Sequence, residues 1–177
     1  MHDLHLVIQS AFYWYNCHLY GFDLPGNNRL QACDITSGQW EGDQEDQVDS
    51  KKLLITDVLN EKQKYLHYEY DFGDGWRHTI QLEKSQDGVI EKPKLIKAQN
   101  FAPVEDCGGI WRWYENLERL KNYPAKPTAD DKELLEWMAE LIPDLDEENP
   151  KDFDPTKVNF QELAENIELY QESENIL

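Results

Sequence analysis

Asp71, Asp74 and His78 fall around one Gly-rich turn in YEYDFGDGWRH, and a second acidic pair, Glu105-Asp106, precedes Cys107 in PVEDCGG. Carboxylates with an imidazole make an oxygen-rich ligand set suited to Mg²⁺ or Mn²⁺. A divalent metal on Asp74, His78, Glu105 and Asp106 would activate water for phosphoester or amide hydrolysis. Each residue also has a structural reading, and that reading carries more weight. Asp74 suits a turn, Asp71 can pair with Arg77 across two strands, and His78 sits on an apolar strand face.

Cys107 lies just before a helix, where backbone N–H groups can hold an anion or lower a thiol pKa. The adjacent Glu105 and Asp106 oppose both effects and are better suited to capping backbone donors. Trp76, Trp111, Trp113 and Tyr114 either line a ligand cleft or fill the core. Asp71, Asp74, Trp76, His78, Glu105, Asp106, Cys107 and Trp111 are therefore the binding candidates. His18 and His67 have no ligand-spaced neighbours in the chain.

These residues are positioned chiefly by the stretch from Tyr65 to Glu83. Two alternating runs flank Gly73-Asp74-Gly75, which predicts a β-hairpin over 65–83. A three-residue loop would pair Phe72 with Trp76, Tyr70 with His78, Tyr68 with Ile80 and Leu66 with Leu82, making one apolar face. The polar face would pair Asp71 with Arg77 and Glu69 with Thr79. Gly75 would supply the left-handed residue.

Upstream, Asp3 is read as the cap of a helix with Leu4, Val7, Ile8, Ala11, Phe12 and Tyr15 inward, leaving His5 off the stripe. His18 to Leu24 reads as a strand and Leu30 to Ile35 as its partner. The acidic run from Glu41 to Asp49 reads as a loop, and Lys51 to Leu59 as a short strand or helix. Downstream, Asp87-Gly88 marks a turn, and Pro93 to Lys97 reads as another strand. A helix is expected from Trp111 to Asn122, with Trp113, Leu117 and Leu120 inward. Thr128 with Asp131 forms a capping box for a helix ending at Ile142. An acidic linker over 144–158 then leads to a C-terminal helix over 159–173, capped by Asn159 and Glu162. No internal repeat is present.

Composition bounds the function. The 177 residues include six Trp, nine Tyr and six Phe, enough to furnish the core of a single domain over 1–177. The formal charge is −19 and the arginines are Arg29, Arg77, Arg112 and Arg119. Such a surface repels phosphate backbones, so direct nucleic-acid binding is not expected, and a basic protein partner is. Cys17, Cys33 and Cys107 form neither a CxxC pair nor a disulfide framework. With no signal peptide or long apolar run, the chain reads as cytoplasmic, with no membrane association.

YEYDFGDGWRHTIQLE followed by PVEDCGG resembles the plasmid pRiA4b Orf-3-like family, also described as insertion-element passenger TnpR-like proteins. DLHLVIQSAFYWYNCHLYGFDL and FDPTKVNFQEL extend the likeness over most of the chain. The resemblance implies an α+β domain, an antiparallel sheet packed with helices, and no established activity. Against the family pattern, no N-terminal strand precedes the first helix, so either the start is miscalled or the sheet lacks a strand, and Leu95 and Ala102 stand where many members carry cysteine. Val104 and Arg112 replace a usual proline and glycine. A recombinase needs a Ser or Tyr nucleophile among several cations, which these few arginines do not supply. The expected function is thus a non-catalytic binding or interaction protein associated with mobile elements, with the metal-dependent hydrolase as the alternative. A sheet lacking its N-terminal strand would leave an open edge, so the chain is expected as a monomer or an edge-paired homodimer.

Overall fold

The structure, a computed structural model, describes residues 1–26, 31–34, 47–86, 88, 92–143 and 145–174. Leu30 and Ile35, the acidic run before Gln47, Asp87 of the expected turn, and Asp144 lie outside the described residues. The chain divides into two compact units, one made of 1–8 and 16–93, the other of 9–15 and 94–177.

The first unit is a sheet with strands β1 (Tyr20–Asp23), β2 (Gln31–Cys33), β3 (Gln47–Asp49), β4 (Tyr65–Tyr70) and β5 (Trp76–Gln81) in the order β3-β2-β1-β4-β5. All neighbours are antiparallel except β2 and β3, which run parallel. The sheet is therefore mixed, and the expected acidic loop ends in a strand. Helix α1 (His2–Phe12) begins in this unit, and α2 (Ile55–Val58) is one short turn of helix before β4. Alternation places Leu66, Tyr68, Tyr70 and Trp76 inward with Phe22 and Ala32, all buried, while Arg77, Thr79 and Gln81 face out.

The hairpin forms as expected, but its register is shifted by two residues. Tyr70 pairs with Trp76, Tyr68 with His78 and Leu66 with Ile80. A slip of two leaves every side chain on its expected face, because strand faces alternate with period two. The cause is Asp71, whose backbone is left-handed (φ 50°). Its N–H still donates to Leu19 O at 2.9 Å, its Oδ1 accepts from Gly73 N–H at 3.0 Å, and its carbonyl accepts from Gly75 N–H at 2.6 Å. The chain thus leaves β4 after Tyr70, and Phe72, an expected core residue, is exposed. Gly75 supplies the expected positive φ, 69°.

The second unit is helical: the end of α1, then α3 (Gly109–Lys121), α4 (Ala129–Leu141) and α5 (Phe160–Glu174). Residues 93–97 form no strand; Pro93 removes one ladder donor, and Ile96 is exposed rather than packed. Thr128 and Asp131 form the capping box of α4, as expected, and Arg119 of α3 reaches Asp131 at 2.9 Å. Asn159 Oδ1 accepts from Glu162 N–H at 3.3 Å at the start of α5. Asn166 of α5 donates to Ser10 O at 2.7 Å. The core comprises Trp113, Leu120, Leu135, Met138, Ile142, Leu163 and Ile167, with Leu145 and Pro150 of the expected linker also buried.

The inward face of α1 differs from expectation. His5, Leu6, Gln9 and Ser10 are buried, whereas Leu4, Val7, Ile8 and Ala11 are half-buried. Asp3 lies inside the first turn rather than before it. An apolar count cannot detect a buried stripe built around His5 and Gln9.

Candidate functional site

In the first unit the polar chemistry lies behind the hairpin. Inward-facing tyrosines on β1 and β4 bring their hydroxyls into an apolar layer, and a buried phenol needs a partner. Tyr68 finds His5: the Tyr68 hydroxyl lies 2.8 Å from His5 Nδ1, and His5 Nε2 lies 2.7 Å from Asn16 Oδ1. An amide oxygen only accepts, so His5 carries its proton on Nε2 and Nδ1 accepts from the phenol. Burial drives the imidazole pKa down to about 3, outweighing the Asn16 hydrogen bond, and His5 is neutral. Tyr20 stacks on His5 with ring centroids 3.5 Å apart and planes 10° apart. Its hydroxyl lies 2.7 Å from Ser50 Oγ and 2.9 Å from His2 Nδ1, and burial raises its pKa strongly.

Tyr70 does a different job. Its hydroxyl accepts from the backbone N–H groups of Cys17 and His18, at 3.1 and 3.3 Å, so β4 holds the chain that enters β1. His18 Nε2 lies 3.8 Å from Asp71 Oδ2, an ion pair whenever the imidazole is protonated. The expected Asp71–Arg77 pair does not form. In the shifted register Arg77 faces Glu69, and its Nε donates to that carboxylate at 2.9 Å. His78 lies over Tyr68, with ring centroids 5.6 Å apart, instead of over Tyr70, and burial lowers its pKa. Asp74 is half-buried within the turn, and Trp76 is core.

In the second unit PVEDCGG holds the C-terminal end of α1. Tyr13 is left-handed (φ 57°) and Trp14 N–H donates to Gln9 O at 3.0 Å, a Schellman-type end with tyrosine where glycine is usual. The indole of Trp14 donates to Pro103 O at 2.9 Å, and Tyr15 N–H donates to Glu105 Oε2 at 2.6 Å. Glu105 is buried, so its carboxylate serves as a backbone acceptor, the capping role weighed for it above. Asp106, Gly108 and Gly109 all have positive φ, turning the loop into α3 with Gly108 as its N-cap. Cys107 is buried with Sγ 3.9 Å from Gly109 O, while Asp106 is exposed.

The aromatic candidates therefore separate. Trp76 and Trp113 are core, each in its own unit, whereas Trp111 is 84 % exposed and Tyr114 60 %. Of the four expected metal ligands, Asp74 and His78 belong to the first unit and Glu105 and Asp106 to the second. No disulfide joins the cysteines, and burial lifts the Cys33 thiol to about 11.

His5, Tyr20 and Asn16 escape a reading by apolar period. A signal was nevertheless available. Buried tyrosines at alternate positions of a strand require polar partners, and His5 with Gln9 supplies an i, i+4 polar stripe on a nearby helix.

The sequence model described as "Plasmid pRiA4b ORF-3-like protein" matches residues 1–162. An uncharacterised protein, y4hQ, of Sinorhizobium fredii (strain NBRC 101917 / NGR234) is 32 % identical over 167 residues, covering 93 % of this chain and 76 % of that protein. Among solved structures, a protein of unknown function, MM3350, from Methanosarcina mazei Go1 is similar with a TM-score of 0.64 at 26 % identity. That match covers 90 % of this chain and 80 % of the other.

Proposed function

Since the chain belongs to the plasmid pRiA4b ORF-3-like family, we propose that it is a non-catalytic binding protein that takes a basic protein partner on the outer face of α3. The observation carrying this reading is Trp111, 84 % exposed on a helix whose opposite side buries Trp113, Asn116 and Leu120. Ile110 and Tyr114 are exposed within the same arc of about 100°. Large aromatic rings presented to solvent on one helix face mark interaction surfaces more often than chance. A charge of −19 favours a cationic partner, and Trp111 and Tyr114 offer ring faces to Lys or Arg. The same charge weighs against nucleic acid.

Two further features support binding over catalysis: Glu105 is engaged with Tyr15 N–H, and the His5–Tyr68 pair is sealed from solvent. A setting among mobile elements fits the plasmid in the family's description. A cytoplasmic location fits cysteines without a disulfide, and no described helix is long and apolar enough to cross a membrane.

The test is quantitative cross-linking and co-purification with the native chain and a Trp111→Ser/Tyr114→Ser variant of equal helicity. A basic protein recovered with the native chain and lost with the variant supports the reading; identical partner sets overturn it. A melting temperature that rises with Mg²⁺ or Mn²⁺ would instead favour the hydrolase using Asp74, His78, Glu105 and Asp106.

A further inference from the structure

The phase of the β4 ladder decides which backbone groups of β5 are left over. Asp71 N–H donates to Leu19 O on the β1 side, and Leu82 N–H donates to Lys64 O on the β5 side. With the registers of β1–β4 and β4–β5, odd-numbered residues of β4 bond to β1 and even-numbered ones to β5. Trp76, His78 and Ile80 therefore turn their N–H and C=O groups toward β4. Arg77, Thr79 and Gln81 turn theirs outward. β5 ends the strand order, and among the described residues no backbone group is bonded to those three.

Edge strands of soluble proteins are usually blunted by Lys, Pro or a bulge. β5 has no Lys and no Pro, its pairing with β4 is unbroken, and its single cation, Arg77, is drawn to Glu69. WRHTIQ is also free of carboxylates in a chain that carries 36 of them, so a like strand can approach here without direct acid–acid contact. We infer that β5 pairs antiparallel with β5 of a second copy, about a twofold axis at Thr79. Thr79 then faces its own counterpart as a hydrogen-bonded pair, and Arg77 faces Gln81. His78 faces Ile80 on the other side of the strand. Every facing pair is compatible, as an isologous interface requires. Two five-stranded sheets become one of ten strands.

Light scattering on the full chain at about 100 µM tests this, a concentration at which mass action favours even a weak dimer. The expected mass is twice the 20.9 kDa of one chain. Thr79→Asp sets two carboxylates face to face across the axis and is expected to give a monomer. Its side chain is exposed, and unchanged circular dichroism would show that the fold is kept. Thr79→Cys, treated with diamide, is expected to cross-link two copies, with the native chain as the control for Cys17. A native chain that is monomeric at this concentration overturns the inference. So does a Thr79→Asp variant that keeps the fold and stays dimeric.

Discussion

The hydroxyl of Tyr68 lies 2.8 Å from Nδ1 of His5 and donates to it, joining the centre of the sheet to the first helix through one fully buried hydrogen bond. Tyr68→Phe keeps the ring and removes the donor, leaving an imidazole nitrogen without its partner in an apolar layer. The expected loss is about 1–3 kcal/mol, read as a lower urea midpoint at an unchanged slope. A change under about 0.5 kcal/mol would mean that the contact contributes little beyond packing.

The same imidazole makes stability depend on pH. Its folded pKa of about 3 lies below the value of 6.5 expected when unfolded, so the unfolded chain binds the proton first as pH falls. Its contribution is complete above about pH 6.5 and declines toward pH 3, reaching a loss of about 2 kcal/mol near pH 5. His78, half-buried and with its pKa also lowered by desolvation, acts in the same direction. Urea titrations at pH 7.5 and 5 should differ for the native chain, and His5→Gln should shrink that difference. An equal pH dependence in the variant would remove His5 as its source.

Glu105 is expected to behave as a structural acceptor. Glu105→Ala leaves Tyr15 N–H unpaired beside a buried loop and should cost about 1–3 kcal/mol. Glu105→Gln retains an acceptor oxygen for the 2.6 Å contact and should recover most of that. Thermal melts of the pair separate the hydrogen bond from the charge. If Gln is as damaging as Ala, the negative charge is what matters.

The hairpin turn depends on backbone sign. A Cβ at Gly75 meets nothing within 4 Å, so Gly75→Ala is costly only through its φ of 69°, about 1–2 kcal/mol. Asp71→Asn keeps an acceptor for Gly73 N–H and tolerates the left-handed region, whereas Asp71→Val satisfies neither need. Asn should therefore be nearly neutral and Val severe, in chemical denaturation. Equal effects would contradict the role given to Asp71.

Much of the fold was legible because its elements are encoded locally. Alternation over YLHYEY and WRHTIQ assigns both strands and their inner face. Thr128 with Asp131, and Asn159 with Glu162, mark helix starts through side-chain bonds to nearby amides. The register was less legible, because it turned on whether Asp71 would go left-handed, and Leu19 O, just before β1, helps hold it there. β3 was hidden in an acidic run, since its pairing partner β2 lies elsewhere in the chain.

Residue order alone settled the two hairpin strands, the helices over α3, α4 and α5 and which face of the hairpin is apolar, since those follow from spacing and short-range hydrogen bonds, but not β3 or the absence of a strand over 93–97. Tertiary structure decided what the polar residues do: His5 became a neutral buried acceptor, Glu105 a holder of backbone and Trp111 a surface ring. Burial, partner and protonation depend on groups far apart in the chain, and no local pattern carries that information.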